Sequence, residues 1–150
     1  LLVGRVQEDG HNLAGRAIVT DDFDAITKQL RSWVDDKAVD VIVATGGTGL
    51  TGRDGTPEAF RAIFKKEIEG FGELFRYISF AKIGTSTVQS RALAGVAGGT
   101  YLFSLPGSSS ACRDGWDEIL RYQLDIRHRP CNFVEIMPRL AESPTQRRDG

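Results

Sequence analysis

The feature that most constrains the fold of this chain is an apolar run at residues 41–44 that leads directly into a glycine-rich loop. The loop has the sequence Gly46-Gly47-Thr48-Gly49-Leu50-Thr51-Gly52. The apolar run predicts a buried strand, and the glycines allow positive φ and a close approach of backbone to ligand. In open α/β sheets, ligands bind beyond the carboxyl ends of strands. The sequence therefore predicts a ligand site in this loop.

The rest of the chain alternates between helical and strand patterns. The spacing of apolar residues predicts strands at 13–20, 39–45 and 100–105. Helices are predicted at 1–9, from 21, from 57, at 71–80, at 88–97 and after the serines at 108–110, with Thr56 as an N-cap and Pro57 first in its helix. The gaps between strands leave room for helical crossovers, which favours a three-layer α/β/α fold with a mainly parallel central sheet.

Composition excludes several classes of protein. Lys and Arg number 19 against 20 Asp and Glu, for a net charge of -1, so nothing indicates a nucleic acid or an anionic membrane as partner. No apolar run approaches the ~20 residues of a membrane span. Cys112 and Cys131 form neither a metal-ligand spacing nor a disulfide framework, which favours a reducing cytoplasm. We expect one domain over residues 1–138 and a disordered tail over 139–150, where little can be buried.

Two common nucleotide motifs do not fit the glycine loop. Residues 47–52 satisfy the pattern G-x-G-x-x-G, but in a dinucleotide fold the helix begins within that loop and an acidic residue ends the next strand. Here Pro57 delays the helix, and Glu69 and Glu73 lie in helical sequence. No Gly-Lys-Ser or Gly-Lys-Thr follows, which argues against a P-loop.

Two aspartates are candidates for phosphate chemistry. Asp54 follows the glycine loop, where its hard oxygen ligands could hold Mg²⁺ on a phosphate, or it could be a solvated turn aspartate. Asp21 follows the predicted 13–20 strand and could lie at the same end of the sheet, whereas Asp21 or Asp22 could equally cap the next helix. The residues alone leave both alternatives open.

Two hydroxyl-rich segments are candidates for anion binding. Pro106-Gly107-Ser108 and the serines that follow offer backbone N–H groups and hydroxyls at a helix start, as an anion site or an ordinary capped turn. Thr85, Ser86 and Ser90 add hydroxyls, and Arg91 adds a guanidinium that can bind a phosphate through two bonds.

Taken together, these segments resemble the MoaB/MogA family of molybdenum cofactor biosynthesis proteins, and most closely its MoaB branch. The motifs that carry the resemblance are, in chain order, Asp21, Thr45-Gly46-Gly47-Thr48-Gly49, Arg53-Asp54-x-x-Pro57-Glu58, Gly70-Phe71-Gly72-Glu73, Gly84-Thr85-Ser86-Thr87-x-Gln89-Ser90-Arg91, Leu105-Pro106-Gly107-Ser108 and Arg129-Pro130-Cys131-Asn132-Phe133. The resemblance implies the molybdopterin-binding-like fold, and relatives begin with a strand that would precede Leu1.

The resemblance also implies an activity. Active members adenylylate molybdopterin: a pterin phosphate attacks the α-phosphate of Mg-ATP, and pyrophosphate leaves. Asp54 would then be a carboxylate for Mg²⁺ and nucleotide phosphate, Asp21 its catalytic partner, and residues 46–49 the nucleotide cradle. The pterin and phosphate pocket would be shaped by Gly70, Glu73, Thr85, Ser86, Ser90, Arg91, Pro106, Gly107 and Ser108. Family members form homotrimers or homohexamers and act with other cofactor biosynthesis proteins.

Two other functions stay open at this stage. The first is a catalytically silent molybdopterin-binding or scaffold paralogue, since some MoaB proteins coexist with an active MogA. The second is a CinA-like nucleotide pyrophosphatase. The second is disfavoured because the proline-glycine loop of those proteins usually continues Val-Pro, whereas this chain has Ser108 and Ser109.

Overall fold

A four-stranded sheet forms the centre of the computed structural model, which describes residues 1–143. The strands are β1 (Val41–Thr45), β2 (Lys66–Glu67), β3 (Leu93–Ala97) and β4 (Thr100–Leu105). They are ordered β1-β4-β3-β2. β1 and β4 are parallel and in register from the pair Val41 and Tyr101 to the pair Thr45 and Leu105. The carboxyl ends of these two strands therefore lie side by side.

The helices surround this sheet. They are α1 (Leu2–Glu8), α2 (Phe23–Asp35), α3 (Thr56–Ile63), α4 (Glu69–Ile83), α5 (Ser109–Gly115), α6 (Arg121–Gln123) and α7 (Phe133–Ile136). A π-helical segment, Trp116–Leu120, joins α5 to α6, and 3-10 turns lie at Gly84–Gln89 and Met137–Arg139. In the described part of the chain, no helix has the length and apolar character needed to cross a membrane.

Both faces of the sheet are covered. Successive side chains of β4 point to opposite faces of the sheet. All six residues of β4 are buried, because helices cover both faces. On one face, Tyr101, Phe103 and Leu105 pack with buried residues of α4 and of the helical segment after β4, which are Phe71, Phe75, Trp116, Ile119 and Leu120. On the other face, Leu102 packs with Ile26 and Leu30 of α2 and with Ala59 and Phe60 of α3. The predicted α/β class with three layers is confirmed.

The prediction of a helix at 88–97 is wrong. Half of this segment, Leu93–Ala97, is β3, which pairs antiparallel with both β4 and β2. The sheet is therefore mixed rather than mainly parallel as predicted, because only one of its three described strand pairs is parallel. Gly98 and Gly99, interpreted as a helix end, form the two-residue turn between β3 and β4, with Gly98 at φ 58°. Positive φ is what such hairpin turns require. Short apolar runs do not distinguish strand from buried helix by periodicity alone.

The strand predicted at 13–20 is also wrong, because this segment pairs with no described strand and has no regular structure. Ile18 is 94% exposed. Asp22 caps α2, since its Oδ2 accepts a hydrogen bond from the Ala25 N–H (3.1 Å), whereas Asp21 does not cap it. Helix α3 begins at Thr56 itself, one residue earlier than predicted, and its cap position is Gly55.

The carboxyl-terminal segment stays packed beyond Pro138. Leu140 contacts the core on the α4 face of the sheet, and Arg139 Nε donates to Glu142 Oε1 (2.7 Å). The disordered tail predicted for residues 139–150 therefore begins with residues that contact the core or form an ion pair. Its remainder, residues 144–150, lies outside the described residues.

Candidate functional site

A cavity of about 510 Å³ lies at the carboxyl ends of β1 and β4. The loops that follow these parallel strands meet there, because the Gly46 N–H donates to the Leu105 carbonyl (2.9 Å) and Thr45 Oγ1 donates to the Pro106 carbonyl (2.9 Å). The predicted site residues that line this cavity are Gly46, Gly47, Thr48, Gly49, Asp54, Ser90, Pro106, Gly107 and Ser108.

One side of the cavity, which we call the glycine wall, is the loop of residues 46–55. Gly47 has φ 67°, and a Cβ built on it would lie 2.3 Å from Thr56 Oγ1. A Cβ on Gly49 would lie 2.6 Å from Asp54 Oδ2. The loop folds back on itself so tightly that these two positions accept no side chain without rearrangement.

Asp54 is held on the glycine wall by its own loop. Its Oδ2 accepts hydrogen bonds from Thr51 Oγ1 (2.7 Å) and from the Thr51 N–H (3.0 Å). The Thr51 hydroxyl, followed by the backbone donors of Thr51 and Gly49 and the charge of Arg91, lowers the pKa of Asp54 below its ordinary value. Asp54 is therefore an ionised, oriented carboxylate at neutral pH.

Arg91 stabilises the glycine wall by hydrogen bonds to its backbone carbonyls. Its Nε donates to the Gly49 carbonyl (2.9 Å) and one terminal nitrogen donates to the Asp54 carbonyl (2.7 Å). The other terminal nitrogen binds Glu58, and this contact lowers the pKa of Glu58. The sequence suggested this guanidinium as a phosphate ligand. In the structure it lines the second cavity described below and supports the loop.

The loop after β4 closes one end of the cavity. Ser108 Oγ accepts a hydrogen bond from the Ala111 N–H (3.1 Å) and thus caps α5. A Cβ on Gly107 would lie 3.4 Å from the Gly46 Cα, so this loop touches the glycine wall. Of the two alternatives that the sequence left open for this segment, the capped turn is present.

The opposite side of the cavity, the helical wall, was not predicted from the sequence. It consists of side chains from α4 and α5, namely Phe75, Ser79, Lys82, Ile83, Ala111 and Asp114. Lys82 Nζ donates to Asp114 Oδ1 and to Glu118 Oε2 (3.0 Å), and these two contacts raise the pKa of Lys82. The carboxylates come from a segment more than thirty residues away in sequence. The only sequence signal was the spacing of four residues between Asp114 and Glu118, which predicts that they share a helix face.

The remaining predicted residues do not line this cavity. Asp21 stands beside the glycine wall, because a Cβ on Gly47 would lie 3.4 Å from Asp21 Oδ1. Glu73 and Arg91 line a second cavity of about 350 Å³, and Ser90 lines both cavities. The predicted residues that line neither of these two cavities are Asp21, Gly70, Thr85 and Ser86.

The motif at residues 129–133 serves the fold. Asn132 Oδ1 caps α7 by accepting from the Glu135 N–H (2.9 Å), and its Nδ2 donates to the Ile126 and His128 carbonyls. Phe133 packs on Tyr101, whose hydroxyl donates to the Phe133 carbonyl (2.7 Å). This segment ties the carboxyl-terminal part of the described chain to the core.

The carboxylate oxygens at the cavity suit a metal cation that is also bound by the substrate. Within residues 1–143, no group of three His, Cys, Asp or Glu side chains could enclose a metal ion. Mg²⁺ in phosphate-binding sites usually takes one or two carboxylates and completes its shell with water and substrate phosphates. Asp54, as one oriented carboxylate on an open wall, fits that pattern.

Comparison with known proteins places the chain in a family. A family described as "Probable molybdopterin binding domain" matches residues 1–126. Molybdenum cofactor biosynthesis protein B of Escherichia coli K12 is 53% identical over 127 residues, which cover 85% of this chain and 75% of that protein.

Solved structures agree with this match. A crystal structure of a molybdenum cofactor biosynthesis protein B superposes with a TM-score of 0.83 at 38% identity, covering 93% of this chain and 81% of that one. The molybdopterin biosynthesis enzyme MoaB from Thermus thermophilus superposes with a TM-score of 0.76 at 29% identity, covering 97% and 84%. These matches confirm the resemblance that the motifs indicated, and the chain belongs to the MoaB/MogA family of molybdenum cofactor biosynthesis proteins.

Proposed function

We propose that this chain acts in molybdenum cofactor biosynthesis by adenylylating molybdopterin, with Mg-ATP as the second substrate and pyrophosphate as the leaving product. The observation that carries the proposal is the placement of Asp54. Thr51 holds this ionised carboxylate on a cavity wall that is otherwise built from the backbone of the glycine loop. The cavity lies where ligands bind in α/β sheets, beyond the carboxyl ends of parallel strands.

The reaction requires no covalent bond between the protein and its substrates. An oxygen of the pterin phosphate forms a bond to the α-phosphorus of ATP, and the bond to the pyrophosphate group breaks. Such transfers depend on alignment and on neutralising the charge of the phosphates. Asp54 would hold Mg²⁺, which supplies that neutralisation when bound. The glycine wall would orient the nucleotide through its backbone, and the Ser108 loop would close the far end of the site.

The pterin would extend from this cavity into the second one. Ser90 lines both cavities, so they adjoin at this residue. Glu73 and Arg76 line the second cavity and would present polar groups to the pterin ring. Asp21, beside Gly47, would contact a ligand that reaches past the glycine wall. This arrangement supports a site longer than either cavity alone.

Pyrophosphate release from Mg-ATP by the full chain, measured with and without molybdopterin, tests the proposal. We expect release that depends on molybdopterin. Asp54→Asn keeps the size of the side chain but removes its charge, and should lower turnover by about a hundredfold, as for loss of one electrostatic contact in the transition state. Pterin binding should stay within about twofold.

Asp125→Asn is the matched control, because Asp125 pairs with Arg127 and lines neither cavity. It should leave turnover unchanged. Full turnover in Asp54→Asn would contradict the role of Asp54.

A second candidate, a silent molybdopterin-binding paralogue, is favoured by one observation. The donors of Arg91 are directed to loop carbonyls and to Glu58, so the glycine wall brings no cationic side chain to the first cavity. Measurable pterin binding without pyrophosphate release would support this candidate.

We also propose that the protein self-associates, as family members do in trimers or hexamers. Large apolar side chains are exposed along α4 and the turn after it: Leu74, Tyr77, Phe80, Ile83 and Val88. The four on α4 follow one another at spacings of three residues, so they are neighbours along the helix surface, and an exposed apolar patch usually marks an interface. The molar mass of the full chain in solution, measured by light scattering, should be a multiple of the 16.4 kDa of one chain.

A further inference from the structure

Lys82 is the one cationic side chain among the described residues that line the first cavity. Its side chain is 47% exposed and extends from the last turn of α4. The ammonium contacts two carboxylates: that of Asp114, which also lines the cavity, and that of Glu118, which does not.

The side chains around Lys82 carry more negative than positive charge, which is unfavourable for a site that binds phosphates. One ammonium faces two carboxylates, and Asp54 adds a further negative charge on the opposite wall. A polyphosphate entering the cavity would be repelled by Asp114 and Asp54. Because Arg91 is engaged with the loop and with Glu58, Lys82 is the cation available to offset this repulsion.

We propose that Lys82 is a substrate-binding residue that exchanges partners: its ammonium leaves Asp114 and Glu118 and binds a phosphate oxygen of the substrate instead. This inference rests on the proposed function only in taking that substrate to be a polyphosphate. The side chains of Lys82 and Glu118 are both about half exposed, and ion pairs between exposed side chains are weak, so Lys82 gives up its contact with Glu118 at little cost. The Asp114 side chain is only 14% exposed, so the release of this second contact depends on the stronger attraction between the ammonium and a polyphosphate. A lysine has a flexible four-carbon stem and three donors, which suits a change of partner. The two carboxylates also raise the pKa of Lys82, which keeps it protonated before the exchange.

The proposal predicts opposite effects from opposite charges. Lys82→Gln removes the phosphate contact and leaves Asp114 uncompensated, so polyphosphate affinity should fall. Asp114→Asn releases Lys82 from one partner and removes a repulsive charge, so affinity should rise. If the cluster served only to tie α4 to α5, both variants would break the same ion pair and would affect binding in the same direction.

Binding of inorganic tripolyphosphate to the full chain, measured by calorimetry without magnesium, separates these cases. Loss of one charge-assisted hydrogen bond predicts a Kd about tenfold higher in Lys82→Gln. Asp114→Asn should lower Kd about threefold, and both changes should shrink as salt is raised. Lys37→Gln is the control, because this exposed lysine lies in the turn between α2 and β1, at the opposite end of β1 from the cavity.

Thermal unfolding of each variant verifies that it is folded. Glu118→Gln, which lies outside the cavity, is a second variant that releases Lys82 from a carboxylate partner. Weakening by both Lys82→Gln and Asp114→Asn, no change in either, or no binding by the parent chain would overturn the proposal. The measurement needs no turnover. Opposite shifts in Kd together with no molybdopterin-dependent pyrophosphate release by the parent chain would therefore reject the adenylylation mechanism and keep the role of Lys82.

Discussion

The glycine wall and the helical wall face each other across one cavity but are built in different ways. The glycine wall is backbone, fixed by residues that tolerate no Cβ and by the hydrogen bonds of Arg91. The helical wall is formed by side chains on two helices, and its charged groups are the half-exposed Lys82 and its ion-pair partner Asp114. The first wall can hold a phosphate in one geometry, whereas the second can adapt to what is bound.

This difference matters for phosphoryl transfer because alignment and charge compensation make separate demands. A displacement of about 1 Å at an aligned site can cost a hundredfold in rate. Charge compensation by a mobile lysine tolerates larger displacements. We therefore expect substitutions in the glycine wall to lower turnover and those in the helical wall to change affinity.

The largest effect is expected at Gly47. Gly47→Ala forces a side chain into positive φ and places its Cβ against Thr56 Oγ1. The loop must shift, and turnover should fall by about a hundredfold while the global fold persists. Steady-state pyrophosphate release measures this loss. Gly52→Ala is the control in the same loop, because nothing lies within 4 Å of its added Cβ; equal losses in both variants would show that the loop is generally intolerant rather than fixed at Gly47.

A smaller effect is expected from loosening the support of the wall. Arg91→Lys keeps the positive charge but cannot reach the Gly49 carbonyl, the Asp54 carbonyl and Glu58 together. Loss of one such bond costs about 1.5 kcal/mol, which corresponds to a fall in turnover of about tenfold. Faster hydrogen exchange at residues 46–55 should accompany this loss.

The control for Arg91→Lys is Arg127→Lys, because Arg127 makes an exposed pair with Asp125 (2.8 Å) and lines neither cavity. Unchanged exchange and turnover in Arg91→Lys would mean that the loop holds its shape without this support.

The smallest effect concerns the ionisation of Asp54. Thr51→Val removes the hydroxyl donor that contributes most to the lowered pKa of Asp54. The carboxylate is needed ionised, and activity is lost as pH falls through its pKa. The variant should therefore lose activity at a higher pH than the parent, with little change at pH 7. NMR titration of the carboxyl carbon should show the pKa of Asp54 rising toward 3.8.

The same spectra contain an internal reference. Arg127 holds the pKa of Asp125 at about 2, and Thr51→Val should not move it. A fixed Asp54 pKa in the variant would show that backbone donors, rather than the hydroxyl, set its ionisation.

The two walls also differ in how far the sequence predicts them. The glycine wall is a local feature: an apolar strand followed by glycines and Asp54 can be recognised in a stretch of fourteen residues, 41–54. That it meets Pro106-Gly107-Ser108 follows from the pairing of β1 with β4, since parallel strands end on the same side. The first feature was accessible to sequence reasoning, whereas the adjacency of β1 and β4 was not predicted and is given by the structure.

The helical wall depends on tertiary packing. Lys82 meets Asp114 only because α4 and α5 pack on the same face of the sheet. The helix mistakenly predicted at 88–97 had a related cause. Residues 92–97 are rich in alanine, which favours helix locally, but they pair with β4, and Gly95 leaves room for the Phe64 ring, to which a Cβ would come within 2.4 Å. Contacts between distant segments decided the structure in both places.

Hydrogen exchange of the full chain with and without Mg-ATP tests most directly whether the cavity between the two walls is the nucleotide site. The account predicts that nucleotide slows exchange in residues 46–55 and 106–111, and that Asp54→Asn reduces this protection. Protection confined to residues 61–76, which contribute to the second cavity, would contradict it.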